Sequence, residues 1–382
     1  MAKLESRDYK TGDEYGIVSL YNKITGCRRT VEQHRWEWLD TPQGIGSIWV
    51  ITEFGSGEIV GHHGLIPIQM DYFGKTLLLG KTENTILHPK YLGTGIYFIY
   101  EKRFLEEAME RFDLLYTTYA HGTPGKIRRK LGYDAVSKNA NYVKITSRTT
   151  LEKITDSLIA KKIAKRWLKA FCKGFVLILG YFLMKYFLKR SKTDKNIVFE
   201  NITEIDTLES ELDEFWSHVK GSFGITVERT SAYLRWRIFD NPNVKYEFLL
   251  ARKQGKIVGY VITKSNSNDF KRGIIVDLVC EHNKVMFSTI LSEAVRRFDD
   301  ANIDIVSFPT LDSNNFLNRC IMRNGFLPAQ RLMSYMRWFL KDNSKRENSV
   351  LLVKVINSDI EPLKIYNPSC WYYTELFTEG IT

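Results

Sequence analysis

Apolar and polar positions follow two periods along the chain, and the changes between them predict the order of the elements. Amphipathic segments with the helical period of 3.6 residues alternate with segments in which every second residue is apolar, as in strands. Helices are predicted at 12–24, 95–111, 207–220 and 284–299. Strands are predicted at 47–53, 58–71, 77–88, 114–116, 246–252, 257–266, 273–280 and 303–306. A strand meander followed by helix–strand units gives a mixed sheet with helices on both faces, so the predicted class is α/β.

The same order of elements occurs twice, and three short sequence matches support an internal repeat. In chain order they are Arg35-Trp36-x-x-x-Asp40-x-Pro42 with Arg235-Trp236-x-x-x-Asp240-x-Pro242, Gly57-Glu58-Ile59-Val60-Gly61 with Gly255-Lys256-Ile257-Val258-Gly259, and Gly132-Tyr133 with Gly325-Phe326. The offset drifts slowly from one match to the next, as expected of duplicated domains whose loops have changed in length. The two repeated Trp residues are predicted to be packing anchors.

The repeat divides the 382 residues into four segments. We predict an N-terminal domain at 1–148, a helical linker at 149–196, a second domain at 197–340 and a C-terminal extension at 341–382. The extension is rich in aromatic residues, so we expect it to pack against a domain. Two tandem domains, each a mixed sheet flanked by helices, are therefore the predicted architecture.

Most of the net charge of +11 lies in the linker. Eleven basic residues and one acidic residue lie between Lys161 and Lys195, while the rest of the chain is close to neutral. The basic side chains of 161–173 share one helical face, and an uncharged run follows at 174–184, too short to span a membrane. Residues 161–190 are therefore predicted to lie on an anionic membrane surface. The alternative is a helix between the domains with solvated lysines.

Cysteine usage and the N-terminus predict a reducing, cytoplasmic location. The basic residues at 161–190 add peripheral contact with the inner face of the membrane to this prediction. The five cysteines are scattered and form no C-x-x-C pair, unlike a disulfide framework or a zinc cluster. The first residues are charged and lack the apolar region of a signal peptide. His62 and His63 point to opposite faces of a strand, so no metal site is predicted. Motifs of serine hydrolases and P-loop kinases do not occur.

One short motif carries candidate chemistry, at the junction of a predicted strand and the helix after it. The segment 84–97 contains Gly93-Thr94-Gly95 directly before that helix. Glycines at such a junction let several N–H groups and the positive end of the helix dipole point at one place. This arrangement predicts a phosphate-binding turn.

In these residues the sequence resembles the GNAT superfamily of acyl-CoA transferases. Gly95 matches the central glycine of the family's pyrophosphate loop, Pro89-Lys-Tyr91 its lead-in, and Lys130-Leu131-Gly132-Tyr133 its Lys-Leu-Gly-Phe ending. Leu92 departs from the usual Arg or Gln, and Tyr97 from a small residue. The resemblance implies acetyl-CoA as acyl donor and two GNAT-like domains. The coenzyme-binding residues that it implies are Ile86, Leu87, Leu92, Gly93, Thr94, Gly95, Ile96 and Tyr97.

The second copy is predicted to lack coenzyme binding, and the general base and acid of the first copy remain open. The loop at 280–287 has no glycine, so the second domain is read as a degenerate partner. The resemblance makes Glu83 the first candidate for the base; His88 and His121 are alternatives. The family often donates a proton from a Tyr five residues before the Gly-aromatic pair, where this chain has Arg128. Tyr116, Tyr119 or water is therefore predicted to replace it.

The predicted function is acyl transfer from acetyl-CoA to an amine or hydroxyl, on a small molecule or on a sugar or lipid-linked precursor at the inner membrane surface. Two alternatives stay open. One is an aminoacyl-tRNA-dependent transferase of the Fem type, for which the linker would bind RNA; the other is a scaffold that keeps the fold without chemistry. Nucleic acid is not an expected partner, because the folded parts are nearly neutral. The sequence does not determine the acceptor, N- against O-acylation or the oligomeric state.

Overall fold

A computed structural model describes residues 3–120, 122–146, 192–267, 271–330 and 349–378, together with the isolated positions 152, 156 and 174. The membrane-surface segment predicted at 161–190 and the candidate base His121 lie outside the described residues. Within the described ranges, no helix combines the length and the apolar character that a membrane crossing requires.

The first half of the chain forms a mixed sheet with helices on both faces. Its strands are β1 (Leu4–Asp8), β2 (Ser47–Glu53), β3 (Ile59–Tyr72), β4 (Lys75–Leu87), β5 (Leu114–Ala120) and β6 (Asp134–Ile145). Its helices are α1 (Asp13–Thr25), α2 (Val31–Trp38), α3 (Ile96–Ala108) and α4 (Gly122–Lys130). Neighbouring strands are antiparallel except β4 and β5, which are parallel. The α/β class predicted from the sequence is confirmed.

The second half follows the same plan. Its strands are β7 (Val198–Ile202), β8 (Ile225–Val227), β9 (Glu247–Lys253), β10 (Lys256–Ser267), β11 (Lys271–Cys280), β12 (Ile305–Leu311) and β13 (Leu327–Pro328). Its helices are α5 (Glu209–Val219), α6 (Ser231–Leu234, continued as a π-turn at Arg235–Phe239), α7 (Lys284–Asp300) and α8 (Phe316–Arg323). Again one pair is parallel, β11 with β12. The strands and long helices expected from the periodicity are present, with ends shifted by a few residues.

All described strands join one 14-stranded sheet, whose two halves pair directly through β6 with β12 and β13 and through β3 with β8. Strand β6 pairs with β12 through residues 139–145 and with the last strand, β14 (Val350–Val355), through residues 134–138. Strand β14 in turn lies between β5 and β6, so a segment predicted as an extension completes the first half. The limits of the predicted domains remain predictions.

The repeated Arg-Trp motifs meet where the halves pack together. The rings of Trp36 and Trp236 stack with their centroids 5.3 Å apart. Each indole Nε1 donates a hydrogen bond of 2.8 Å to the backbone carbonyl of the other Trp. Asp40 and Asp240 line a groove of about 530 Å³ beside this pair. Both Trp residues are buried, in agreement with their predicted role as anchors.

The C-terminal residues also lie between the halves. The segment 371–378 is buried and contacts β11 and β12. Tyr116 of β5 donates a 3.5 Å hydrogen bond to the carbonyl of Phe377, and Arg237 donates one of 3.1 Å to that of Thr378. The aromatic extension therefore packs against both halves, as its composition predicts.

Candidate functional site

The parallel strands β4 and β5 separate in the middle of the first half. Their pairing includes Gly80 with Leu115 and Lys81 with Tyr116, and does not extend further. Beyond this point, among the residues that the structure describes, β4 pairs only with β3, through a bulge that places residues 84 and 85 opposite His63. Strand β4 thus has an unpaired edge that faces an opening between the two strands.

The turn after β4 forms a cradle of N–H groups at the start of α3. Gly93 and Gly95 both have φ of +79°, in the left-handed region that favours glycine. Thr94 Oγ1 donates a 2.7 Å hydrogen bond to the carbonyl of Tyr91, which holds the turn closed. Within the described part of the chain, the N–H groups of residues 93–97 make no hydrogen bond. These donors and the positive helix end make a suitable site for a phosphate or pyrophosphate.

The other predicted coenzyme-binding residues line the same turn in different environments. Leu87 is buried with Tyr91, while Ile86 and Ile96 are half-buried. The side chain of Leu92 is 63% exposed, so nothing in the turn replaces the Arg or Gln that the resemblance leads one to expect. Tyr97 is half-buried, and its burial and the charge of Glu101 raise its pKa.

The turn at the corresponding place in the second half is built differently. Strand β11 is joined to α7 by three residues, 281–283. The side chain of Asn283 accepts hydrogen bonds from the N–H groups of Val285 (2.8 Å) and Met286 (3.3 Å). Two of the first donors of α7 are therefore used by the chain itself. That the second copy lacks coenzyme binding stays a prediction.

Glu83 lies on the α2 side of β4. Leu77 and Leu79 pack in the core on this side, and the period of two places Lys81 and Glu83 on the same face. Both side chains are buried, and Lys81 Nζ lies 2.5 Å from Glu83 Oε1. The two side chains form a buried pair, and the role of Glu83 as the base stays a prediction.

Histidine and tryptophan side chains pack around β3, the strand that pairs with β4 at Glu83. Gly64 is the cross-strand partner of Glu83, and a Cβ on Gly64 would lie 2.4 Å from the Trp38 ring. His62 packs edge-on against Trp38 at 5.1 Å, and His34 lies 5.9 Å from His62. Burial, then the nearby His62, lowers the pKa of His34 to about 2, so this ring is neutral. Within the described residues, neither nitrogen of His34 has a hydrogen-bond partner.

A second polar group lies on the opposite, α3 side of β4. Arg128 Nη1 lies 3.5 Å from Glu101 Oε1, and Arg128 Nη2 donates a 3.3 Å hydrogen bond to Thr85 Oγ1. His63 Nδ1 is 2.8 Å from the same Thr85 oxygen and 3.4 Å from Glu101 Oε2. Arg128, Glu101 and His63 are buried. We call these four residues, Arg128, Glu101, Thr85 and His63, the Arg128 network.

The sequence indicates only two members of the Arg128 network. Arg128 departs from the tyrosine that the resemblance leads one to expect, and His63 is considered only as a metal ligand and excluded. No pattern in the sequence singles out Glu101 or Thr85. A glutamate in an amphipathic helix looks like a solvated residue, and its burial emerges only when α3 packs on the sheet. Burial lowers the pKa of His63 to about 4, so His63 is neutral and serves as a hydrogen-bonding group.

Of the other predicted catalytic residues whose side chains the structure describes, His88 is not brought to Glu83. His88 lies five residues further along, about 15 Å by the rise of a strand, and its Nδ1 accepts a 3.3 Å hydrogen bond from the N–H of Lys90. His88 and Glu83 therefore cannot act on the same atom. Tyr119 belongs to β5, but its side chain and the whole of His121 lie outside the described residues. Burial raises the pKa of Tyr116 well above its ordinary value, so this phenol remains protonated.

Comparisons with known proteins support the fold. No protein-family model and no curated protein matches the sequence. Among solved structures, a conserved protein from Enterococcus faecalis V583, described as a probable N-acyltransferase, has a TM-score of 0.61 at 11% identity, covering 93% of this chain and 73% of its own. A GCN5-related N-acetyltransferase from Anabaena variabilis has a TM-score of 0.58 at 11% identity, with the same coverages.

A third similar structure is the N-myristoyltransferase of Saccharomyces cerevisiae with bound myristoyl-CoA, with a TM-score of 0.53 at 11% identity. The match covers 93% of this chain and 83% of that one. At this identity the similarity establishes a shared fold, that of GCN5-related N-acetyltransferases and N-myristoyltransferases, over nearly the whole chain.

Proposed function

We propose that the protein is an acyltransferase that uses acetyl-CoA and acts on an amine or a hydroxyl group. The observation that carries the proposal is the cradle of N–H groups at residues 93–97, which follows a strand with an unpaired edge. Donors at a helix start suit a pyrophosphate, and a strand edge with no described neighbouring strand suits a thioester carbonyl. The similar yeast structure contains an acyl-CoA, which supports this donor class.

The acceptor is proposed to approach from the α2 side of β4. Glu83 lies on that side, with Lys81 beside it. There Glu83 would take the proton of the attacking amine or hydroxyl, directly or through water. Neutral, buried His34 offers hydrogen bonds to an uncharged polar group rather than to an ion. A hydroxyl-bearing acceptor, such as a sugar or a lipid-linked precursor, is compatible with these contacts.

Calorimetric titration of acetyl-CoA into the full-length protein tests the donor site. Gly95→Glu is expected to weaken binding at least about tenfold, because a carboxylate would face the pyrophosphate. Gly255→Glu is the matched control: Gly255 has φ of +80° against +79° for Gly95, and a Cβ at either position meets no atom within 4 Å. The control should bind as the parent does. If the parent binds no acetyl-CoA, or if both variants bind equally, the assignment is wrong.

We further propose that the protein works at the inner membrane surface through residues 161–190. The support is the excess of basic residues in the linker. Replacing Lys161, Lys162, Lys165, Arg166, Lys169 and Lys173 by glutamine should abolish sedimentation with phosphatidylglycerol vesicles, because each basic side chain contributes about 1 kcal/mol at an anionic surface. The parent should not sediment with phosphatidylcholine vesicles.

A control variant with the same loss of charge shows whether vesicle binding depends on the basic residues of the linker or on the net charge of the whole protein. It replaces six exposed lysines in the described part of the chain, Lys23, Lys102, Lys245, Lys256, Lys271 and Lys284. This variant should sediment like the parent. Equal sedimentation of both variants would leave the linker only the role of a helix between the halves.

A further inference from the structure

The Arg128 network closes the opening between β4 and β5 on the α3 side. Arg128 belongs to α4, the helix that directly follows β5, and Thr85 belongs to β4 beyond the last parallel pair. Their 3.3 Å contact is therefore a bridge across the opening. Glu101 lies in α3, the helix that begins at the glycine cradle. The charges of Glu101 and Arg128 act on the phenol of Tyr97 at the end of the cradle, so the bridge lies close to the cradle.

The second half of the chain shows which residues the fold itself requires at these places. Gly132 and Gly325 both have φ of +84°, and the N–H of the aromatic residue after each glycine donates to the carbonyl of Arg128 (3.1 Å) or of Ile321 (3.4 Å). Arg128 and Ile321 are therefore equivalent positions. The charged guanidinium of the first half corresponds to a buried apolar side chain in the second.

Two other network positions are matched through the sheet. Gly61 pairs with Leu87 as Gly259 pairs with Cys280, so counting along both strands makes His63 equivalent to Val261 and Thr85 to Leu278.

Three of the four network positions can therefore be compared between the halves. The equivalents of Arg128, His63 and Thr85 are Ile321, Val261 and Leu278, and all three are apolar and buried. The second half thus folds with apolar packing where the first half buries a guanidinium and its hydrogen-bond partner Thr85. Since burying a charged group costs several kcal/mol, the fold itself does not require Arg128.

We propose that Arg128 stabilises the thiolate of coenzyme A as it leaves the thioester, in the reaction proposed above. The acceptor nitrogen or oxygen forms its bond to the carbonyl carbon, the carbon–sulfur bond breaks, and the electron pair leaves with sulfur. The guanidinium hydrogen-bonds to this thiolate, which later takes a proton from solvent water. Within the described residues, two of the five guanidinium N–H donors are used, one toward Glu101 and one toward Thr85.

Glu101, Thr85 and His63 act as positioning residues for Arg128. Glu101 and Thr85 contact separate guanidinium nitrogens, and His63 contacts both of these partners. Tyr133 packs against the guanidinium at 5.9 Å. An arginine remains charged throughout the accessible pH range. The guanidinium can therefore stabilise the thiolate without first gaining or losing a proton. That chemistry suits a position where the resemblance leads one to expect a tyrosine.

The test is the ionisation of the thiol of coenzyme A bound to the full-length protein. Thiolate absorbance is followed against pH, and the same titration with desulfo-coenzyme A subtracts the tyrosines and cysteines of the protein. A free thiol has a pKa of about 8.5. In the parent, the bound thiol should titrate at about 7.5 or lower. In Arg128→Met it should return to about 8.5, with kcat for acetyl transfer reduced about tenfold or more.

Two further variants separate this role from a structural one. Arg129→Met removes an exposed arginine from the same helix and should behave as the parent. Arg128→Met/Glu101→Met leaves no unpaired charge buried, so it should fold and still show the thiol pKa of free coenzyme A. If the parent binds no coenzyme A, the proposed function fails and this inference with it. If coenzyme A binds with an unshifted thiol pKa, or with the same shift in Arg128→Met, only this inference fails.

Discussion

Glu83→Gln is expected to lower kcat for acetyl transfer by about 10²- to 10⁴-fold, the usual contribution of a positioned general base. Glutamine keeps the size of the side chain but cannot accept a proton. The carboxylate is buried and lies 2.5 Å from Lys81 Nζ, which holds it in place on the α2 side of the strand. The acid limb of the pH profile of kcat/KM, which reports protonation of the essential base, should disappear in the variant.

The matched control for this experiment is Glu228→Gln. Glu228 is also a buried carboxylate paired with a lysine, with Lys220 Nζ at 3.1 Å, but it lies in the second half. Both variants lose one buried charge, and thermal unfolding measures the cost of that loss. Glu228→Gln should keep kcat within about threefold of the parent. If both variants lose activity to the same extent, Glu83 acts through stability and is not the base.

Arg229→Met is expected to lower the free energy of unfolding by about 3–5 kcal/mol, the usual cost of leaving one partner of a buried ion pair uncompensated. Arg229 donates to both oxygens of Asp277, at 2.8 and 3.0 Å, and both side chains are fully buried. Thr374 of the C-terminal segment also donates to Asp277, at 2.8 Å. The pair therefore links β11 to the segment that packs between the halves.

A urea titration followed by circular dichroism measures this effect. The double variant Arg229→Met/Asp277→Leu should recover most of the loss, because it removes the unpaired carboxylate. Arg296→Met, which breaks an exposed pair with Glu293, is the control and should cost less than about 1 kcal/mol. A loss in Arg229→Met no larger than in this control would contradict the assigned role of the pair.

Local patterns in the sequence were enough to predict the four longest helices, eight of the strands and the glycine turn. The alternation of apolar residues in β3 and β4 is a property of neighbouring positions, and so is the requirement for glycine where φ is positive. The repeat at 35–42 and 235–242 likewise needed only comparison of the chain with itself. The structure then added that the two Trp residues of the repeat hold each other through reciprocal hydrogen bonds.

Pairing between distant segments could not be predicted in this way. Nothing in the residues of β14 shows that it lies between β5 and β6, because a strand carries no local signal of its neighbours. The same limit applies to the Arg128 network, whose members come from β3, β4, α3 and α4. Their burial and contacts arise only when those elements are packed.

The sequence alone thus determined the α/β class, the repeated motifs, the cluster of basic residues at 161–195 and the turn with its two left-handed glycines, all of which depend on periodicity, composition or local backbone preference. The tertiary structure decided which polar residues are buried together. It paired Glu83 with Lys81 on one side of β4 and Arg128 with Glu101 on the other, and it showed apolar residues in the second half at the places of Arg128, His63 and Thr85. Electrostatic environment depends on burial and on distances between segments, so chemistry could be assigned to these side chains only after the fold was known.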